Sequence, residues 1–295
     1  MLALLLAGVL VGTPAVGVSA SSRGSGPYAG LDTWLDIYAG KAAWSHPGRE
    51  VASMARDGVR TLYLQTGNYR QSVDLMRPRA QGRFIDYAHA AGLRVVAWYL
   101  PSFANPAQDE RRALAAIRFR SPGGERFDGF ALDIEATVVR PLQLRDRRLI
   151  QLSTQLRSAV GPQYPLGAIT PSPIGMAPSY WPDIPYRTLA RLYGVFLPMA
   201  YFTLRGIQGS QPTLSYLSAT VGAVRAAAGD PHIPIHLIGG LSEAMSAHET
   251  TGFIRAVTAC APLGYSLYAF PSTPRATWTR LAALHTHRPA KPPCS

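Results

Sequence analysis

The chain has 295 residues, a formal net charge of +12 and two cysteines. Its length beyond an apolar opening suits one large α/β barrel, and no stretch between Leu31 and Leu284 has the composition of a linker to a second core. The charge is nearly all arginine and is dispersed, with lysine only at 41 and 291 and no basic run interleaved with aromatics. Nucleic acid is therefore not expected as a partner, and the excess charge reads as compositional bias before it reads as affinity for anionic cell-wall polymers.

Met1 to Ala20 is apolar, is interrupted by Pro14 and closes on Val18-Ser19-Ala20, the small residues that a signal peptidase reads. A secretory signal is expected here, or a membrane anchor if the segment is kept, so the mature chain is expected outside the cell or in its envelope. Residues 21–30 read as a flexible segment, 31–287 as the barrel domain and 288–295 as a Pro-rich tail; no later segment is apolar enough to span a membrane. Runs rich in β-branched and aromatic residues recur about every thirty residues. They are Thr33–Tyr38, Thr61–Gln65, Arg94–Leu100, Gly129–Glu135, Pro165–Thr170, Gly194–Tyr201, Pro234–Gly239 and Tyr265–Phe270. Between them Arg49–Arg56, Phe84–Ala91, Gln108–Arg118, Leu144–Val160, Leu214–Ala228 and Ala247–Ala259 carry helical periodicity. Strand followed by helix, repeated along a chain with eight candidate strands, predicts a single (β/α)8 TIM barrel. No glycine-rich phosphate loop follows the first strand, which disfavours an open nucleotide-binding sheet.

The most informative segment is Phe127-Asp-Gly-Phe-Ala-Leu-Asp133-Ile-Glu135. On a strand, Phe130, Leu132 and Ile134 share one face, while Ala131, Asp133 and Glu135 share the other. Two neighbouring carboxylates at a strand's C-terminal end repel one another as anions, so one keeps its proton near neutral pH and can act as a general acid. That is the chemistry of glycosidic bond cleavage. In a barrel the other strand ends would join it: Asp36, Tyr38, Gln65, Tyr99, Met199, Tyr201, Tyr268 and Phe270 are candidates to bind a sugar, by stacking on its apolar faces or by hydrogen bonds to its hydroxyls and amides.

Other constellations carry less. His232 and His236 flank Pro234 in an extended stretch and do not share a helical face, and His285 and His287 lie near the tail, so neither a metal nor a cofactor is expected. No G-x-S-x-G elbow is present. Cys260 and Cys294 could form one disulfide tying the tail to the last helices, or could remain as a buried thiol and a loose one; spacing does not choose. A monomer is expected.

Asp128-Gly-Phe-Ala-Leu-Asp133-Ile-Glu135 resembles the fourth-strand motif D-G-x-D-x-D-x-E of chitinase-like glycoside hydrolases of family 18, and Met199-Ala-Tyr201 resembles that family's M-x-Y on the sixth strand. The resemblance implies a TIM barrel acting on N-acetylhexosamine-containing polysaccharide. Glu135 would protonate the glycosidic oxygen, Asp133 would orient the substrate's 2-acetamido group, and Tyr201 would hydrogen-bond it. The chain departs from the pattern at Ala131, where the family has its innermost aspartate, at Phe202, where an aspartate is common, and at the eighth strand, which lacks the family's tryptophan. Family 25 lysozymes, which also carry D-x-E and an aspartate ending the first strand, are a second resemblance, with Asp36 in that place. A non-catalytic carbohydrate-binding barrel of the cell envelope is the alternative that Ala131 and the missing tryptophan favour.

Overall fold

The computed structural model describes residues 24–284 and Cys294; the expected signal segment and most of the Pro-rich tail lie outside them. Eight parallel strands close into a barrel in sequence order: β1 (Gly30–Leu35), β2 (Thr61–Asn68), β3 (Arg94–Leu100), β4 (Gly129–Asp133), β5 (Leu166–Pro171), β6 (Val195–Met199), β7 (His236–Leu241) and β8 (Gly264–Tyr268). Closure runs through β1 and β8, with Gly30 opposite Gly264 and Thr33 opposite Leu267. Around the barrel lie α1 (Lys41–Ser45), α2 (Pro47–Arg56), α3 (Pro78–Ala90), α4 (Pro106–Arg118), α5 (Leu142–Val160), α6 (Tyr186–Leu189), α7 (Ser210–Ala228), α8 (Ala247–Cys260) and α9 (Arg275–Ala282). Among the described residues no helix is long and apolar enough to cross a membrane.

Local chemistry sets several boundaries. Pro47, Pro78 and Pro106 each open a helix, where the missing N–H has no intrahelical partner to lose. Asn105 caps α4 by accepting from Gln108 N at 3.2 Å, and Ser246 with Glu249 forms a reciprocal capping box on α8. β1 stops at Leu35, three residues before the expected Tyr38, because the Asp36 carboxylate accepts from the backbone N–H groups of Tyr38 and Ala39 at 2.7 and 2.6 Å. An aspartate that takes two neighbouring backbone donors turns the chain out of the ladder.

Strand alternation divides the interior in two. Outward residues such as Leu62, Leu64, Phe130 and Leu132 pack with Phe84, Ile85, Leu149 and Leu152 of the helices in the main core; each such side chain contributes roughly 1.5–3 kcal/mol on burial. Inward residues Trp34, Tyr63, Val96, Trp98, Ala131 and Ile169 fill the barrel itself. Tyr28, within the segment expected to be flexible, is fully buried at the barrel floor and donates its hydroxyl to the Phe130 carbonyl at 2.8 Å. Gly264 permits this approach: a Cβ there would meet the Tyr28 carbonyl at 2.2 Å and His236 Nδ1 at 2.4 Å. Cys260 and Cys294 are joined as a disulfide across a sequence separation of 34 residues, a loop whose closure is worth about 3–4 kcal/mol against the unfolded chain.

Candidate active site

β4 sends Ala131 and Asp133 into the barrel, with Phe130, Leu132 and Ile134 in the outer core. Asp133 ends the strand at 4% exposure, and Glu135 follows in a turn, half-buried. Beneath Asp133 on the same face sits the methyl of Ala131 where a second acid would supply a partner, and Asp133 Oδ1 has no hydrogen-bond partner within the protein. Burial holds the Asp133 carboxyl well above the usual range, and the charge of Glu135 raises it further. Burial also raises Glu135, opposed by the positive charge of Arg70 on the β2–α3 connection.

Tyr201, two residues past β6, and Tyr268, at the end of β8, face these acids with their rings 6.1 Å apart. Both hydroxyls are held protonated, chiefly by burial: the charges of Asp133, Glu135 and Asp36 add to it at Tyr201, and that of Asp36 at Tyr268. The Tyr268 hydroxyl donates to Asp36 Oδ2, so the first and last strands are linked at the mouth. Met199 and Tyr201 pack half-buried on the interior cluster. Below lies Trp34, stacked on Tyr63 at 4.1 Å and meeting Trp98 edge to face at 5.9 Å. Trp98 Nε1 also lacks a partner in the protein.

The other candidates fall into three places. Gln65 points inward but is 2% exposed, and its Oε1 accepts from Ile37 N at 3.0 Å, fixing the turn that carries Asp36. Tyr38 stands at the rim, 66% exposed, its hydroxyl accepting from Asn68 Nδ2 at 2.7 Å. Tyr99 and Phe270 do not reach the mouth. Tyr99 lies in the outer core, where its hydroxyl donates to Asp109 Oδ1 at 2.8 Å. Its neighbour Trp98 takes the inward place; the run Val-Val-Ala-Trp-Tyr-Leu is apolar on both faces, so alternation within it does not say which face turns in. Phe270 begins a short 3-10 turn after β8 and packs on Trp278 of α9 at 5.6 Å instead.

Two residues that sequence reasoning passed over hold Glu135 in place. Tyr180, in the β5–α6 connection, donates to the Glu135 carbonyl at 2.9 Å. Arg145 of α5, 1% exposed, donates to the carbonyls of Tyr180 and Val139, both at 2.7 Å, and lies over the Trp181 ring at 4.6 Å. A buried guanidinium spent on carbonyls reads in sequence as one more surface arginine, so no signal marked it. Among the described residues no group of three or more His, Cys, Asp or Glu stands together as a metal site.

His236 is enclosed at the barrel floor. Trp34 Nε1 donates to Ser266 Oγ, Ser266 donates to His236 Nε2, both at 2.8 Å, and His236 Nδ1 donates to the Tyr28 carbonyl at 3.0 Å. A carbonyl can only accept, so Nδ1 carries a proton; burial presses the pKa of the ring down to about 4, which favours its neutral form near pH 7. Beside it Asp32, fully buried and 3.5 Å away, is raised well above the carboxylate range, by burial first, and accepts from Tyr63 at 3.1 Å.

No family model matches the chain, and no curated protein matches it in sequence. Solved structures do match in fold. The spore cortex-lytic enzyme SleL of Bacillus cereus aligns at a TM-score of 0.62 and 9% identity, over 86% of this chain and 73% of that one. A family GH18 chitinase from Chromobacterium violaceum aligns at 0.58 and 14% identity, over 87% and 83%. The xylanase and alpha-amylase inhibitor protein XAIP-II of Scadoxus multiflorus aligns at 0.52 and 11%, over 86% and 96%. In fold, the chain is similar to these three proteins, a cortex-lytic enzyme, a chitinase and an inhibitor protein.

Proposed function

We propose that the protein is a glycosidase, exported or held in the cell envelope, that hydrolyses glycosidic bonds in an N-acetylhexosamine-containing polysaccharide of chitin or peptidoglycan type. The observation that carries this reading is Asp133: an inward carboxyl with an unpartnered oxygen, beside a half-buried Glu135 whose own proton is held by burial. Glu135 gives that proton to the glycosidic oxygen as the bond to C1 breaks. The substrate's acetamido oxygen closes on C1, its N–H donated to Asp133 and its carbonyl oxygen accepting from the neutral Tyr201 hydroxyl. Glu135, now a carboxylate, takes a proton from the water that opens the cyclic intermediate and is restored. No cofactor enters. Arg70 stabilises the anionic form of Glu135 in this step.

Replacing Glu135 by Gln tests the assignment: turnover of chitooligosaccharide or peptidoglycan should fall by roughly 10²–10⁴-fold while binding persists. Unchanged turnover would refute it. A non-catalytic carbohydrate-binding barrel is the second reading, supported by Ala131 under Asp133 and by the inhibitor protein among the fold relatives. Binding of either glycan by the wild type without product would select it.

A further inference from the structure

We infer that a concavity beside the mouth is a subsite for an oxyanionic substituent, a carboxylate or a phosphodiester, carried by the glycan; this rests on the polysaccharide reading above. The concavity measures about 460 Å³ and is lined by Lys41, Trp44 and Ser45 of α1 and by Arg77, Arg79 and Arg83 at the start of α3. These segments leave the C-terminal ends of β1 and β2, so the concavity opens on the barrel end that carries Asp36 and Glu135. No carboxylate lines it, and its four exposed cations form no ion pair with any described residue. Elsewhere on the same connection Asp74 takes both Arg111 and Arg112, so charge is compensated there and left open here.

The wall is built rather than incidental. Trp44 is buried, donates its Nε1 to the Asp36 carbonyl at 2.9 Å, packs edge to face on Phe84 at 5.5 Å and carries the Arg77 guanidinium 5.1 Å from its ring centre. Arg79 and Arg83, four apart, lie on one side of α3. Through Trp44 the basic site is tied to the residue that Tyr268 engages at the mouth. A neutral chitin chain has no group to meet these forks, whereas a glycan bearing carboxylates or phosphodiesters does.

The test uses two probes that lack a 2-acetamido sugar, oligogalacturonate and inorganic polyphosphate, titrated at low ionic strength into the wild type, a Lys41→Ala/Arg79→Ala/Arg83→Ala variant and a charge-matched Arg118→Ala/Arg187→Ala/Arg255→Ala control. The subsite variant should lose about tenfold or more in affinity for at least one probe while the control keeps it. The probe that responds tells carboxylate from phosphate, and wall glycan before and after removal of its phosphodiester polymer tells which source supplies it. Equal losses in both variants, no binding by the wild type, or tighter binding of a thymidine oligonucleotide than of either probe would overturn the inference. Glu135→Gln keeps the two readings separable, since it removes turnover and leaves probe affinity intact.

Discussion

The two ends of the barrel's interior hold the same chemistry to opposite purpose. At the floor, Asp32 and His236 are both buried, both shifted toward neutrality, and enclosed by Tyr28, Tyr63, Ser266 and Trp34. At the mouth, Asp133 and Glu135 are also shifted toward neutrality, and Asp133, like Asp32, keeps one oxygen without a protein partner, but here Glu135, Tyr201 and Tyr268 reach solvent. A perturbed carboxyl alone therefore does not mark a working centre. The distinction lies in reach: each end holds a carboxyl with one unpartnered oxygen, and only the one at the mouth has neighbours open to solvent.

Substitutions at the two ends should separate accordingly. The largest effect is the loss of roughly 10²–10⁴-fold in turnover for Glu135→Gln, with a thermal midpoint near wild type; a collapse in stability instead would move Glu135 to the structural side. Gly264→Ala, which presses a methyl on Tyr28 and His236, should cost about 3 kcal/mol in denaturant unfolding, with the surviving folded fraction keeping its specific activity. Asp133→Asn is expected to do the reverse. It should lower the rate by about 10²-fold yet raise stability by about 1–3 kcal/mol at pH 8, since a buried carboxyl that must keep its proton costs more as the unfolded chain ionises. Because the folded pKa is raised, that gap should close as pH falls toward 4, and a gap constant with pH would contradict it.

The last substitution probes the floor pair. Between about pH 4 and 6.5 the folded pair holds one proton, on Asp32, and the unfolded pair also holds one, on the histidine, so the pair adds no slope to stability in that window. Asp32→Asn removes the compensating half. Relative to wild type the variant should then lose up to about 1.4 kcal/mol per unit as pH is lowered through this window, as the unfolded histidine binds a proton that the folded one refuses. Parallel profiles for the two proteins would show that the folded histidine takes up a proton in this window, against its lowered pKa.

The strand count and order were legible because β-branched and aromatic runs alternate with helical ones, and Arg94–Leu100 matches β3 end to end. The inward side of β4 was legible because Asp133 and Glu135 break an otherwise apolar run. Short elements were not: α1 and α6, of 5 and 4 residues, have too little length to show a period. Tyr99, expected at the mouth as a strand-end residue, lies in the outer core; both faces of β3 are apolar, so its sequence does not say which face turns in. Tyr180 and Arg145 owe their importance to backbone carbonyls 45 and 35 residues away, and Trp44 to one across a turn, pairings that no residue pattern records.

The buried Tyr28 has a consequence for how the molecule is mounted. Gly24 lies against Gln163 and Pro165, at the entrance to β5, so the chain joins the barrel at the end farthest from Glu135. Any tether fused ahead of Gly24 would leave the open end directed away from its point of attachment, toward whatever matrix surrounds it.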